Sequence, residues 1–161
     1  NSKLYESEMV FVMKKFVLLL VCLAALLEAS EHRKLTQKIV KELNYIFQNR
    51  AHKGGTTFEK ELWFEYRFRT KDEFTIEITA ITDVKKVYVL DMRKDYSVTL
   101  EEDVTCQPAL IFSHDEEIIY LYVKERCGVF GGYNLYPRAK DALVRIKGYM
   151  FELSRLNQKA L

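Results

Sequence analysis

The sequence predicts an α+β fold: an N-terminal helix, about six antiparallel strands in one sheet, a C-terminal helix and one disulfide. Three observations carry that expectation. Near both ends of the chain, apolar residues recur every three or four positions, the period of a helix with one buried face. Between them, apolar and polar residues alternate, the period of a half-buried antiparallel strand. The composition, 48% hydrophobic and 30% charged with six Gly and two Pro, suits one packed domain and excludes disorder and collagen-like repeats.

The first helix is expected over Ser30–Arg50. Leu35, Ile39, Val40, Leu43, Ile46 and Phe47 form its apolar stripe, and Gly54-Gly55 ends it. Strands follow. Leu62, Phe64, Tyr66 and Phe68 share one face of the first, with Trp63, Glu65, Arg67 and Arg69 on the other. Glu73–Thr82 turns Phe74, Ile76, Ile78 and Ala80 the same way, after the short turn Thr70-Lys71-Asp72. Lys86–Met92 is the third strand. Asp95–Glu101 is the fourth, with Tyr96, Val98 and Leu100 inward. Ala109–Phe112 and Glu117–Lys124 flank the polar turn Ser113-His114-Asp115-Glu116, a hairpin in which Ser113 is expected opposite Ile118. Pro137 opens the last helix, whose stripe is Ala139, Leu143, Ile146, Met150 and Leu153. Helices and sheet each have one apolar face, so they pack together, around a sheet either open or curled into a barrel.

The start of the chain predicts its compartment. Met13-Lys14-Lys15 is a basic start, Phe16 to Leu27 is a run of 12 apolar residues, and Glu28-Ala29-Ser30 brings small and polar residues. That is the layout of a secretory signal peptide over residues 13–29, cleaved after Ala29. Residues 1–12 are then an upstream or non-native extension, and residues 30–161 a single secreted, extracellular domain. Twelve apolar residues fall short of the roughly 20 needed to span a bilayer, so no stable membrane anchor is expected. Cys22 leaves with the signal. Cys106 and Cys127 remain, and a pair in a secreted chain reads as a disulfide. Their loop of 20 residues corresponds to about 3 kcal/mol by chain entropy.

Catalytic patterns are weak. His32, His52 and His114 are far apart and lack paired ligands, so no metal is expected. Ser113-His114-Asp115 is consecutive, and triad groups must converge in space. The acidic runs Glu101-Glu102-Asp103 and Asp115-Glu116-Glu117 suit a solvated rim, and Gly131-Gly132 lacks the Lys of a phosphate loop. The expectation is a protein that is not an enzyme and has no cofactor. The formal charge of +2, from 25 bases and 23 acids, argues against nucleic acid as a partner, and Glu59, Glu61 and Glu65 dilute the patch of Trp63, Arg67, Arg69 and Lys71.

The remaining signal is aromatic: ten Tyr, ten Phe and one Trp. Tyrosines on an inner sheet face bring hydroxyls that need partners. Phe64, Tyr66, Phe68, Tyr120 and Tyr122 are therefore the expected lining of a cavity for a small apolar or amphipathic ligand. The alternative is a surface that binds an extracellular protein, through Trp63, Arg67 and Arg69 or through the Gly128–Tyr136 segment.

The element order resembles two secreted architectures. One is the cystatin-like fold, a helix wrapped by an antiparallel sheet. The Gln-x-Val-x-Gly inhibitory motif is missing at Gln37, Gln48, Gln107 and Gln158. The other is the calycin or lipocalin barrel, whose Gly-x-Trp signature is replaced by Glu61-Leu62-Trp63. By architecture alone these imply a ligand carrier or a protein-directed inhibitor or effector.

Overall fold

A computed structural model describes residues 2–47, 65–81, 84–101, 109–122 and 137–159. The class is α+β with antiparallel sheets. Helix α1 runs without a break over Ser2–Phe47. No Gly or Pro precedes Gly54, so no residue in this stretch interrupts the helical hydrogen bonds. The helix expected to begin at Ser30 is thus continuous with the apolar segment before it. Its two halves differ in environment. Residues 3–28 are exposed throughout. From His32 onward the expected stripe is buried, with Ile39 and Leu43 fully inaccessible. Apolar residues on both sides of Lys14-Lys15 give this helix a stretch long and apolar enough to cross a membrane by length and composition.

Among the described residues six strands form, but the expected single sheet is two sheets of three. β1 (Glu65–Thr70), β2 (Thr75–Ile81) and β3 (Lys85–Asp91) make one, and β4 (Ser97–Glu101), β5 (Ala109–His114) and β6 (Glu117–Tyr122) the other, each in chain order. The break lies between β3 and β4. There, the Asp91 carboxylate accepts from the Arg93 N–H (3.0 Å) and the Arg93 guanidinium (2.8 Å), and the Lys94 N–H donates to the Asp91 carbonyl (2.9 Å). Within the turn, the Met92 N–H donates to the Phe74 carbonyl at 2.6 Å, and Met92 and the following Tyr96 are both buried. β4 therefore leaves β3 instead of pairing with it. Alternation within each strand is the same for one sheet or two, so the pattern did not distinguish them.

The hairpin register agrees with expectation: Ser113 lies opposite Ile118 and His114 opposite Glu117. Asp115 takes a positive φ of 50° in the two-residue turn, a conformation that Asp tolerates better than most residues. Helix α2 (Pro137–Lys159) buries Ala139, Ile146 and Leu153 of its expected stripe. α1 packs on β1, β2 and α2, while α2 packs on α1 and β4. One core results, with Leu35 and Ile39 from α1, Ile76 and Leu90 from the first sheet, Leu110 and Phe112 from the second, and Ile146 from α2. Each such side chain contributes about 1.5–3 kcal/mol by leaving water.

Polar contacts fix the helices on this core. The buried Thr36 hydroxyl donates to the Glu73 carbonyl (3.0 Å), and Arg33 pairs with the Glu73 carboxylate. Arg145 of α2 pairs with Glu42 of α1 at 2.8 Å. His32, only 4% exposed, sits between the helices. Its Nδ1 meets the Glu28 carbonyl and its Nε2 the Asn157 Oδ1, both at 2.9 Å, while Asn157 Nδ2 donates to the Met92 carbonyl at 3.1 Å. This chain of contacts joins α1, the end of α2 and the residue that follows β3.

Candidate ligand-binding groove

The expected lining set does not converge on a cavity among the described residues. Tyr66 and Phe68 face inward, but Phe47 of α1 fills the space above them, with ring centroids 5.1 Å from Tyr66 and 5.2 Å from Phe68. The Tyr66 hydroxyl accepts from the Tyr122 backbone N–H at 3.1 Å. Burial pushes the Tyr66 phenol up to about 12 against that bond, so it stays neutral. Tyr120 and Tyr122 lie on the outer face, 45% and 39% exposed, where an inner position was expected. The cause is pairing with β5. Ile119 lies opposite Phe112 and Leu121 opposite Leu110, so these hydroxyl-free residues take the inside. Alternating residues of β6 are apolar on both faces, and tyrosine is the type that keeps its hydroxyl in water. Phe64 and the cysteines Cys106 and Cys127 lie outside the described residues, as do Trp63, His52 and the Gly128–Tyr136 segment.

A groove of about 400 Å³ lies elsewhere, between β4 and α2. Met92, Lys94, Asp95, Tyr96, Ser97, Val98 and Thr99 form one wall, and Lys147, Met150, Phe151, Leu153 and Ser154 the other. The volume falls in the range of small-ligand sites, about 300–1,000 Å³. Val98 and Leu153 are buried at its base, whereas Phe151 on the rim is 67% exposed. Lys147 and Asp95 are exposed too. The groove thus has an apolar floor, an exposed aromatic and a charged rim. Sequence periodicity places Val98, Met150 and Leu153 inward but does not reveal that they meet. The signal that was available is Phe151 itself, a large aromatic one residue off the α2 stripe.

At the end of the groove near the start of β4, the Glu117 carboxylate accepts from Lys94 Nζ (3.0 Å) and from the Tyr96 hydroxyl (3.1 Å). The lysine contact, helped by the tyrosine, holds Glu117 below the usual glutamate range. Burial, then the bond to Glu117, pushes Tyr96 up to about 12. These contacts tie β6 to the segment that leads into β4. Of the consecutive Ser113, His114 and Asp115, His114 Nε2 lies 3.4 Å from Asp115 Oδ2, but the Ser113 hydroxyl joins neither. The Ser113 hydroxyl meets Ser97 across the strands at 2.5 Å, and His114 Nδ1 meets the Asp95 carbonyl at 2.9 Å. Among the described residues no three metal-ligating side chains converge.

The lowered Glu117 value gives a signed pH dependence. A carboxyl that ionises more readily when folded stabilises the fold above its unfolded value and loses that contribution as pH falls through the folded value. In urea titrations, the midpoint of the native protein is expected to decline below the ordinary value of 4.5. Glu117→Gln is expected to flatten that part of the decline while leaving the midpoint at neutral pH lower than in the native protein. An unchanged acid slope in the variant would assign the decline to other carboxylates, such as Asp91, which Arg93 also holds low.

The outer face of the first sheet carries the residues expected to meet a protein partner. Arg67 and Arg69 are exposed, paired with Glu65 (3.0 Å) and Glu77 (2.8 Å). Register places Val87 and Val89, 51% and 45% exposed, in line with them across β2. Comparison with protein-family models, with curated proteins and with solved structures finds no match.

Proposed function

We propose that this chain is a secreted, non-enzymatic binding protein that seats an amphipathic ligand in the groove between β4 and α2. The observation that carries the reading is the meeting of an exposed Phe151 with an apolar floor and the charged rim of Lys94, Asp95 and Lys147 in one concavity of about 400 Å³. The ligand site moves from the inward aromatics of β1 to this groove, because Phe47 already packs on Tyr66 and Phe68.

Secretion rests on the basic start and apolar run of residues 13–29, which the exposed first half of α1 supports. Cleavage after Ala29 removes Glu28, so His32 keeps Asn157 and loses the Glu28 carbonyl. The disulfide is part of the same reading. Pairing of Ala109 with Tyr122 brings together the hairpin ends nearest in sequence to Cys106 and Cys127, which favours a bridge between them.

Native mass spectrometry of the protein purified from a eukaryotic secretion host tests the proposal. The expected result is an added mass in the native spectrum that is absent from the denatured one, and absent altogether in Phe151→Glu. The denatured mass is expected to start at Ser30 and to lack the two hydrogens of one bridge. A bare monomer whose groove also takes up no amphipathic probe would instead favour the second reading, a protein-interaction module using the outer face of Arg67, Arg69, Val87 and Val89. In that case Val87→Glu, and not Phe151→Glu, abolishes partner recovery.

A further inference from the structure

We propose that the occupant of the groove is an extended peptide of a partner protein, added as a further strand along the outer edge of β4 and held against α2. The proposal rests on the groove reading above and specifies its ligand. Among the described residues β4 is an outer strand: it pairs with β5 on one side only, and the preceding strand β3 pairs only with β2. The groove wall is made by consecutive residues, Ser97, Val98 and Thr99 among them. Side chains of a strand alternate between faces, so consecutive residues can line one wall only where the strand's edge, with its backbone, faces the opening. Every second residue of such an edge turns its N–H and C=O away from the sheet.

That edge chooses between kinds of ligand. A hydrocarbon chain laid along β4 displaces water from backbone donors and acceptors and offers nothing in return. An extended peptide offers donors and acceptors at the same spacing, and strand addition of this kind is a general mode of peptide recognition. The five residues of β4 give an edge of about 16 Å. Across it, Met150 and Phe151 supply apolar surface for alternate side chains of the added strand.

Charge sets the direction of the match. Asn157 near the end of α2 bonds the Met92 carbonyl ahead of β4. Lys147, ten residues earlier and about 15 Å back along the helix, lines the groove away from that contact. It has no ion-pair partner among the described residues, whereas Lys94 is committed to Glu117. Asp95 stands at the opposite end. The fitting peptide carries an acidic group against Lys147, an apolar side chain on Phe151, and no acidic group beside Asp95 or the exposed Glu101.

The test is selection from a random linear heptapeptide display library on the secreted protein, followed by synthesis of the enriched sequences. Enriched peptides are expected to carry Asp or Glu toward one end, and Lys147→Glu is expected to shift the selection to Lys or Arg. Methylating backbone nitrogens at alternate residues in the register that faces β4 is expected to weaken binding about tenfold or more. Amide exchange along β4 is expected to slow on binding. Absence of enrichment, indifference to N-methylation in both alternate registers, or unchanged β4 exchange overturns the proposal. If no peptide enriches but the native spectrum keeps a small-molecule adduct that Phe151→Glu removes, the peptide is wrong and the groove stands. If neither appears, both fall.

Discussion

Phe112→Ala is expected to lower folding free energy by about 3–5 kcal/mol, the range for truncating a buried Phe. Phe112 is fully inaccessible in the central strand β5. By register it lies opposite Val98 of β4 and Ile119 of β6, both also buried. Truncation removes the ring from a site walled by two strands that cannot close over it, since both are held in ladders. A typical domain is stable by about 5–15 kcal/mol, so the variant is expected to lie at the edge of folding. Urea denaturation reads the effect as a lower midpoint with an unchanged slope. Phe151→Ala makes the contrast. The same chemical change at a residue 67% exposed is expected to stay within about 0.5 kcal/mol. Similar losses at both positions would contradict the placement of the core.

Asn157→Leu is expected to produce the next largest effect. Asn157 donates to the Met92 carbonyl and accepts from His32, which is buried. Leucine fills a similar volume and satisfies neither group. A buried polar group left without its partner costs about 1–3 kcal/mol, less where water reaches it, and Asn157 is itself only half-buried. Asn157→Asp separates the two bonds, because it keeps an acceptor for His32 and has no N–H for Met92. The expected order of urea midpoints is native, then Asp, then Leu. Hydrogen exchange is expected to rise at the start of the packed part of α1 and the end of α2 in both variants. A loss confined to α2 would mean that His32 is held without Asn157.

These two residues show what the sequence could and could not convey. Phe112 was legible in part. Its strand and the pairing of its hairpin follow from the turn at Asp115-Glu116, but its face does not, because an inward Tyr120 puts Ile111 inside and Phe112 outside, the reverse of the structure. The helical stripes of Leu35, Ile39 and Leu43 and of Ala139, Ile146 and Leu153 were legible, since burial of one face imposes the period. Asn157 was not. Its partner His32 is 125 residues away, and no local pattern encodes such a meeting. Tyr120 and Tyr122 fell on the wrong face because β6 is apolar on both, which leaves the choice to the neighbouring strand. The division into two sheets depended on the turn at Asp91-Arg93, whose hydrogen bonds, local and to Phe74 and Asn157, lie outside any periodicity. The groove is a tertiary product in the same sense: β4 and α2 meet across some fifty residues of sequence, and only the stray Phe151 hinted at an exposed apolar site.

The most direct test of the account is a fluorescence titration of the secreted protein with anilinonaphthalene sulfonate, an anionic amphipathic probe. The native protein is expected to bind it. Phe151→Glu is expected to weaken binding about tenfold or more, which corresponds to about 1.4 kcal/mol. Tyr120→Ala, on the opposite side of the second sheet from the core, is expected to leave it unchanged. Loss of binding in Tyr120→Ala with full binding in Phe151→Glu would contradict the account and return the ligand site to the tyrosines of β6.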